Sequence, residues 1–268
     1  MRVRFWGVRG SVPWATAESI GHGCNTPCLE VRDERSGAMV ILDAGSGIVG
    51  LGEQLSDRPE PTPILLTHYH WDHTQGLPFF TPFYRPGWRP AVWAPVLDDV
   101  SLEWVEAIFQ SPYFPVPFDQ LPNRPQVTLV HPGSLEINGF RISALPLNHP
   151  GGAFAYRIQG TSGDLVYATD HEFGVSERDE ALAAFARGAT AIVSDAHFTP
   201  EELPRHRGWG HASWPQVAEF AARCEVGHLY LFHHKPGRSD ADLSQTEARA
   251  RELFAATTAA REGLSFVV

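Results

Sequence analysis

The chain has 268 residues, and its 21 Lys and Arg against 31 Asp and Glu give a formal charge of −10; 43% of residues are hydrophobic and 19% charged. A chain this long can bury a substantial core without staples, and the composition excludes disorder and coiled coil. The acidic balance argues against a broad nucleic-acid or anionic-membrane surface, which clustered Lys and Arg would have to hold, so a small-molecule substrate fits better. No run approaches the roughly 20 apolar residues of a membrane helix, and the opening residues 1–6 read as a strand rather than a secretory leader. Cys24, Cys28 and Cys224 are too few for a disulfide framework, so a reducing cytoplasm is the simplest address. With no linker visible, residues 1–268 are read as one domain.

In chain order, the pattern predicts strands at 3–6, 29–32 and 39–43, a helix at 47–55, strands at 64–67 and 91–93, and a helix at 102–109. Strands follow at 127–130, 141–147, 154–158 and 165–169, then a helix at 178–187, a strand at 191–194 and a helix at 214–224. The chain closes with a strand at 228–232, a helix at 242–261 and a strand at 264–268. This alternation predicts an α/β or α+β fold. Asp43, His68, Asp170 and His233 each follow an apolar run, the place where strand ends build sites. Residues 79–122 are rich in Pro and aromatics and read either as an irregular cover near the site or as a loop packed on the core.

The central signal is Thr67-His68-Tyr69-His70-Trp71-Asp72-His73. An extended segment points His68 and His70 the same way, and a turn into a helix would bring Asp72 and His73 to a second position nearby. Nitrogen and carboxylate ligands in this density suit zinc, iron or manganese better than calcium or magnesium. The spacing Cys24-x-x-x-Cys28 with His22 does not match a zinc knuckle and reads as ordinary buried thiols. The turn Asp43-Ala44-Gly45-Ser46-Gly47 lacks the Lys-Ser/Thr of a nucleotide loop.

The His68-x-His70-x-Asp72-His73 run resembles the signature of the metallo-β-lactamase superfamily, and later segments resemble it in order: His149 after Asn148, Asp170 after Thr169, and His233 after Phe232. The segments 5–13 and 41–47 also look like the superfamily's opening strands and glycine turn. The resemblance implies a four-layer αββα sandwich holding two divalent transition-metal ions, zinc or alternatively manganese or iron, around a bridging hydroxide. His68, His70 and His149 would hold one ion, and Asp72, His73 and His233 the other, with Asp170 shared. Aligning the strand end favours His233 over His234, which would then stand behind the ligands or contact substrate. Asp43 is either the carboxylate that orients a ligand imidazole or a turn-capping residue before Gly45.

Asp195-Ala196-His197-Phe198 and His211-Ala212-Ser213 are similar to paired elements of the ribonuclease Z and cyclic-nucleotide phosphodiesterase branch, although Ala212-Ser213 stands where that family usually has Ser-Thr. His211 is expected to act as general acid with Asp195 as its orienter, Asp72 counting among both ligands and catalytic groups. His197 is a weaker candidate for substrate contact, and His22, His131, His171, His206 and His228 receive no role. The expected activity is hydrolysis of a small cyclic phosphodiester, a cyclic nucleotide or cyclic ribose phosphate. The alternatives are transfer-RNA 3′-end processing, a lactonase or thioesterase, and a non-catalytic metal-binding adaptor. The aromatic run 113–118 is expected either to close over a base or to pack against a second subunit of a homodimer.

Overall fold

The computed structural model describes residues 1–55, 60–97 and 103–268. Two seven-stranded mixed sheets lie face to face. The first contains β1 (Arg2–Gly7), β2 (Cys28–Arg32), β3 (Met39–Leu42), β4 (Pro61–Leu65), β5 (Arg89–Pro95) and β6 (Gln126–Val130) in sequence order, with β14 (Ser265–Val267) beside β1. The second runs from β7 (Gly133–Ile137) through β8 (Phe140–Pro146), β9 (Phe154–Gln159), β10 (Asp164–Ala168), β11 (Ala191–Asp195) and β12 (Leu229–Phe232) to β13 (Thr257–Ala259). Strands β3 to β6 run parallel, as do β10 to β13, while the remaining pairs are antiparallel.

Three apolar layers account for the stacking. Phe5, Leu42, Tyr156, Tyr167 and Phe232 fill the space between the sheets. The outer face of the first sheet is covered by α1 (Gly47–Gln54) and by residues 77–88 and 103–121, the latter including α3 (Glu103–Ala107). The outer face of the second carries α4 (Ser176–Ala186), α5 (Trp214–Arg223) and α6 (Asp240–Leu253). This is the four-layer αββα sandwich. Two bonds from one sheet to the other fix their relative position at the site: Tyr156 donates its hydroxyl to Leu66 O at 2.6 Å, and Phe154 N donates to Thr67 O at 2.9 Å.

Part of the aromatic stretch is core. Phe80, Phe83 and Phe109 are fully buried against the first sheet, whereas Tyr113 is exposed. Of the expected helix at 102–109, Leu102 lies outside the described residues and α3 occupies Glu103–Ala107. The helix expected at 242–261 ends at Leu253, because Thr257–Ala259 forms β13, hydrogen-bonded parallel to β12. Strand β7 has no counterpart in the sequence expectation. It pairs with β8 through a tight turn in which Asn138 and Gly139 both have positive φ, 49° and 85°.

Candidate metal centre

The carboxyl ends of β3, β4, β8, β10, β11 and β12 converge at one edge of the sandwich. Asp43 follows β3, Thr67–His73 follow β4, His149 follows β8, Asp170 follows β10, Asp195 ends β11 and His233 follows β12. Asp43, Asp170 and His233 are non-glycine residues with φ of 60°, 59° and 57°, a left-handed conformation that turns each side chain sharply off its strand. In the four-residue helix α2 (Trp71–Thr74), Asp72 and His73 are buried.

The expected ligands meet in two groups. His68, His70 and His149 offer ring nitrogens within 4.8 Å of one another, and so do the donor atoms of Asp72, His73 and His233. Asp170 stands between them: its Oδ2 is 3.3 Å from His73 Nε2, its Oδ1 is 3.4 Å from His233 Nε2, and it also groups with His68 and His73. His233, not His234, faces the cluster; His234 turns away and donates Nε2–H to Ala260 O at 2.8 Å.

The donor chemistry fits divalent cations. Asp43, Asp72, Asp170 and Asp195 are all buried, and among the described residues no Lys or Arg pairs with them. Buried carboxylates need counter-charge. His68 Nε2 is buried without a hydrogen-bond partner, and His73 Nε2 and His233 Nε2 lie only 3.2 Å apart. Two ring nitrogens this close, beside buried carboxylates, are what a shared cation would reconcile. Burial alone would lower the basicity of His73, but the charges of Asp72, Asp170 and Asp43 outweigh it and hold its pKa well above the ordinary value. His68 and His149 are shifted the other way by burial, His149 to about 4, which keeps them neutral and able to ligate.

A framework behind the donors fixes their orientation. Asp43 accepts from His73 Nδ1 at 2.8 Å, Thr67 N at 2.7 Å and the Tyr167 hydroxyl at 2.7 Å. Its carboxylate therefore orients the His73 imidazole rather than capping a turn before Gly45. Ser11 N donates to Asp72 Oδ2 at 2.7 Å. His149 Nδ1 donates to Gly210 O at 3.0 Å, and a Cβ at Gly210 would stand 2.0 Å from that nitrogen. Gly210 is thus required both by its φ of 85° and by this close approach.

Asp195 and His211 are paired at 2.7 Å through His211 Nδ1, and Asp195 Oδ1 also accepts the amides of His197 and Ala212. Burial would lower the His211 pKa, but the Asp195 charge and hydrogen bond, with Asp170 behind them, raise it to about 9. Its Nδ1 is committed to Asp195, and the ring keeps partial access to solvent. The buried His197 ring stacks on His211 at 4.5 Å and donates Nδ1–H to His233 O. Burial drives its pKa down to about 3.

Two further residues support the site: Glu172, which the sequence did not single out, and His171, which was expected to have no role. Glu172 accepts the Gly208 amide at 2.8 Å and the Gly210 amide at 2.8 Å, so it clamps the segment that carries His211 and touches His149. His171 accepts the Asn148 amide at 3.2 Å and meets Asp179 at 2.9 Å, bracing the turn before His149. Their position next to Asp170 was the only available signal.

The profile of the beta-lactamase superfamily domain matches residues 39–234. The chain belongs to the metallo-β-lactamase superfamily. Ribonuclease Z of Lacticaseibacillus casei is 25% identical over 299 aligned positions, covering 95% of this chain and 91% of that protein. Among solved structures, the metallo-β-lactamase fold protein YhfI from Bacillus subtilis superposes with a TM-score of 0.75 at 18% identity over 99% of both chains. A diphosphatase from the PhnP family superposes at 0.71 with 19% identity, over 100% of this chain and 97% of that one. The chain is a metal-dependent hydrolase of this superfamily, with full-length similarity to ribonuclease Z. No helix among the described residues is long and apolar enough to cross a membrane.

Proposed function

We propose that residues 1–268 form one hydrolase domain that cleaves a small cyclic phosphodiester, a cyclic nucleotide or cyclic ribose phosphate, with two divalent transition-metal ions, zinc first and manganese or iron as substitutes. The observation that carries this reading is the Asp195–His211 pair, joined at 2.7 Å beside the histidine and aspartate cluster. His68, His70 and His149 would hold one ion, Asp72, His73 and His233 the other, and Asp170 would touch both. When bound, such a pair supplies activated water and neutralises phosphoryl oxygens. The chain's own part is positional and acidic. Asp43 fixes the His73 tautomer so that Nε2 faces the cluster. Asp195 holds His211 by Nδ1, leaving Nε2 to deliver a proton to the departing alkoxide, a poor leaving group without one. The three free thiols, Cys24, Cys28 and Cys224, accord with a reducing cytoplasmic address.

A second reading, transfer-RNA 3′-end processing, is favoured by the relative named ribonuclease Z, whose similarity covers 95% of this chain. The test is turnover by metal-loaded protein of 2′,3′- and 3′,5′-cyclic nucleotides, bis(p-nitrophenyl) phosphate and a precursor transfer RNA, beside a lactone and a thioester. Turnover of the cyclic phosphodiesters is expected. Cleavage of the precursor RNA alone would establish the second reading in its place, and acyl turnover alone would exclude both.

A further inference from the structure

A cavity of about 380 Å³ opens directly on the donor cluster, in the size range of small-molecule sites. His68 and His70 form one wall, and Tyr69, Trp104, Leu97 and Pro150 form the others. Because two proposed metal ligands line it, any substituent of a phosphate held at the centre on that side must enter this space.

Its chemistry restricts what that substituent can be. The Tyr69 hydroxyl is already committed, donating to Pro95 O at 2.7 Å, so Tyr69 offers its ring and not a polar contact. The Trp104 ring lies 6.1 Å from the Tyr69 ring, tilted by 49°, and remains 54% exposed. Apart from the two histidines, the described lining holds no Lys, Arg, Asp or Glu. The floor is Gly151 and Gly152, with φ of 76° and 81°. A Cβ at Gly151 would meet nothing within 4 Å, and one at Gly152 would press on Leu97 at 3.2 Å. The floor is thus bare backbone beneath two aromatic rings.

The geometry points to a nucleobase subsite: Trp104 and Tyr69 take the uncharged planar base of a nucleoside phosphate while its phosphate sits at the donor cluster. This rests on the phosphodiester reading and narrows it, selecting a nucleotide over a bare sugar phosphate. A ribose phosphate would leave the indole uncovered. Stacking of a base on an aromatic side chain accounts for roughly a tenfold gain in affinity.

The test is calorimetric binding of adenosine monophosphate, ribose 5-phosphate and inorganic phosphate to zinc-loaded protein, with tryptophan fluorescence as a second readout. Adenosine monophosphate is expected to bind about tenfold more tightly than ribose 5-phosphate and to quench fluorescence. Trp104→Ala should erase that advantage and the quenching while leaving ribose 5-phosphate affinity unchanged, and Trp104→Phe should restore most of the advantage. Equal affinity for the two compounds in the unmodified protein, or a parallel loss of both in Trp104→Ala, would overturn the subsite and leave the phosphodiester reading standing. If none of the three binds, the phosphate-binding centre fails and the subsite with it.

Discussion

His211 and Glu172 act on the same loop by different routes, and substitutions separate them. His211 pairs with Asp195 at 2.7 Å, approaches Asp170 at 3.5 Å, and stacks on His233 with ring centres 5.0 Å apart. Removing it as His211→Ala should leave bound metal unchanged yet slow cleavage of an alkoxide-releasing phosphodiester by about 10²–10⁴-fold, the scale of a lost general acid. Release of nitrophenolate, which needs no proton, should fall less. Kinetics on the two substrates beside elemental analysis check both points, and equal losses would mean that His211 binds rather than protonates. Glu172 instead holds backbone, accepting the Gly208 and Gly210 amides behind the carbonyl that orients His149. Glu172→Ala should weaken metal affinity about 10–100-fold, as losing a ligand's hydrogen-bonded support does. Glu172→Gln should recover part of it, because its amide oxygen still accepts one of these donors. Metal titration against a chromogenic chelator measures the difference.

Elements differ in how plainly their sequence announced them. The donor-bearing strand ends were legible because Val40-Ile41-Leu42 before Asp43 and Leu229-Tyr230-Leu231-Phe232 before His233 are buried throughout and therefore apolar without interruption. Strand β7 escaped because four of its five residues are exposed or half-buried, which leaves no apolar alternation to read. Its one local signal was Asn138-Gly139, and the turn those residues form should be sensitive: Gly139→Val, forced to a φ of 85°, should cost about 1–2 kcal/mol in a denaturant titration. The final helix was overextended because Ala-rich residues 254–261 suit a helix locally, whereas pairing with β12 decides their state. Clamps such as Glu172 were illegible for a different reason, since a carboxylate that binds distant amides has no local pattern. Another long-range carboxylate is Glu202, which joins the turn after β11 to Lys235 and Arg238 beyond β12. Burial would raise its pKa, but Lys235, the Thr199 amide and Arg238 together hold it at about 2. A depressed carboxylate stabilises the fold above its unfolded value, near 4.3, and that contribution fades as the pH falls toward about 2. Glu202→Gln should therefore flatten the acid limb of the stability profile in that window, measured by unfolding at fixed pH values.

Across the whole molecule, the proposed donors come from both sheets: His68, His70, Asp72 and His73 follow β4 of the first, while His149, Asp170 and His233 follow strands of the second. Cation binding is then linked to the complete fold, and chelation should lower the unfolding temperature. At free metal 100-fold above its Kd, one site contributes about 2.7 kcal/mol, and a scan with and without chelator should differ by several degrees. An ion clasped from both sides behaves as a rivet through the seam between the two halves. Neither half can peel away without first releasing it, so metal should slow hydrogen exchange even at amides in β1 or β14, far along the chain from any donor.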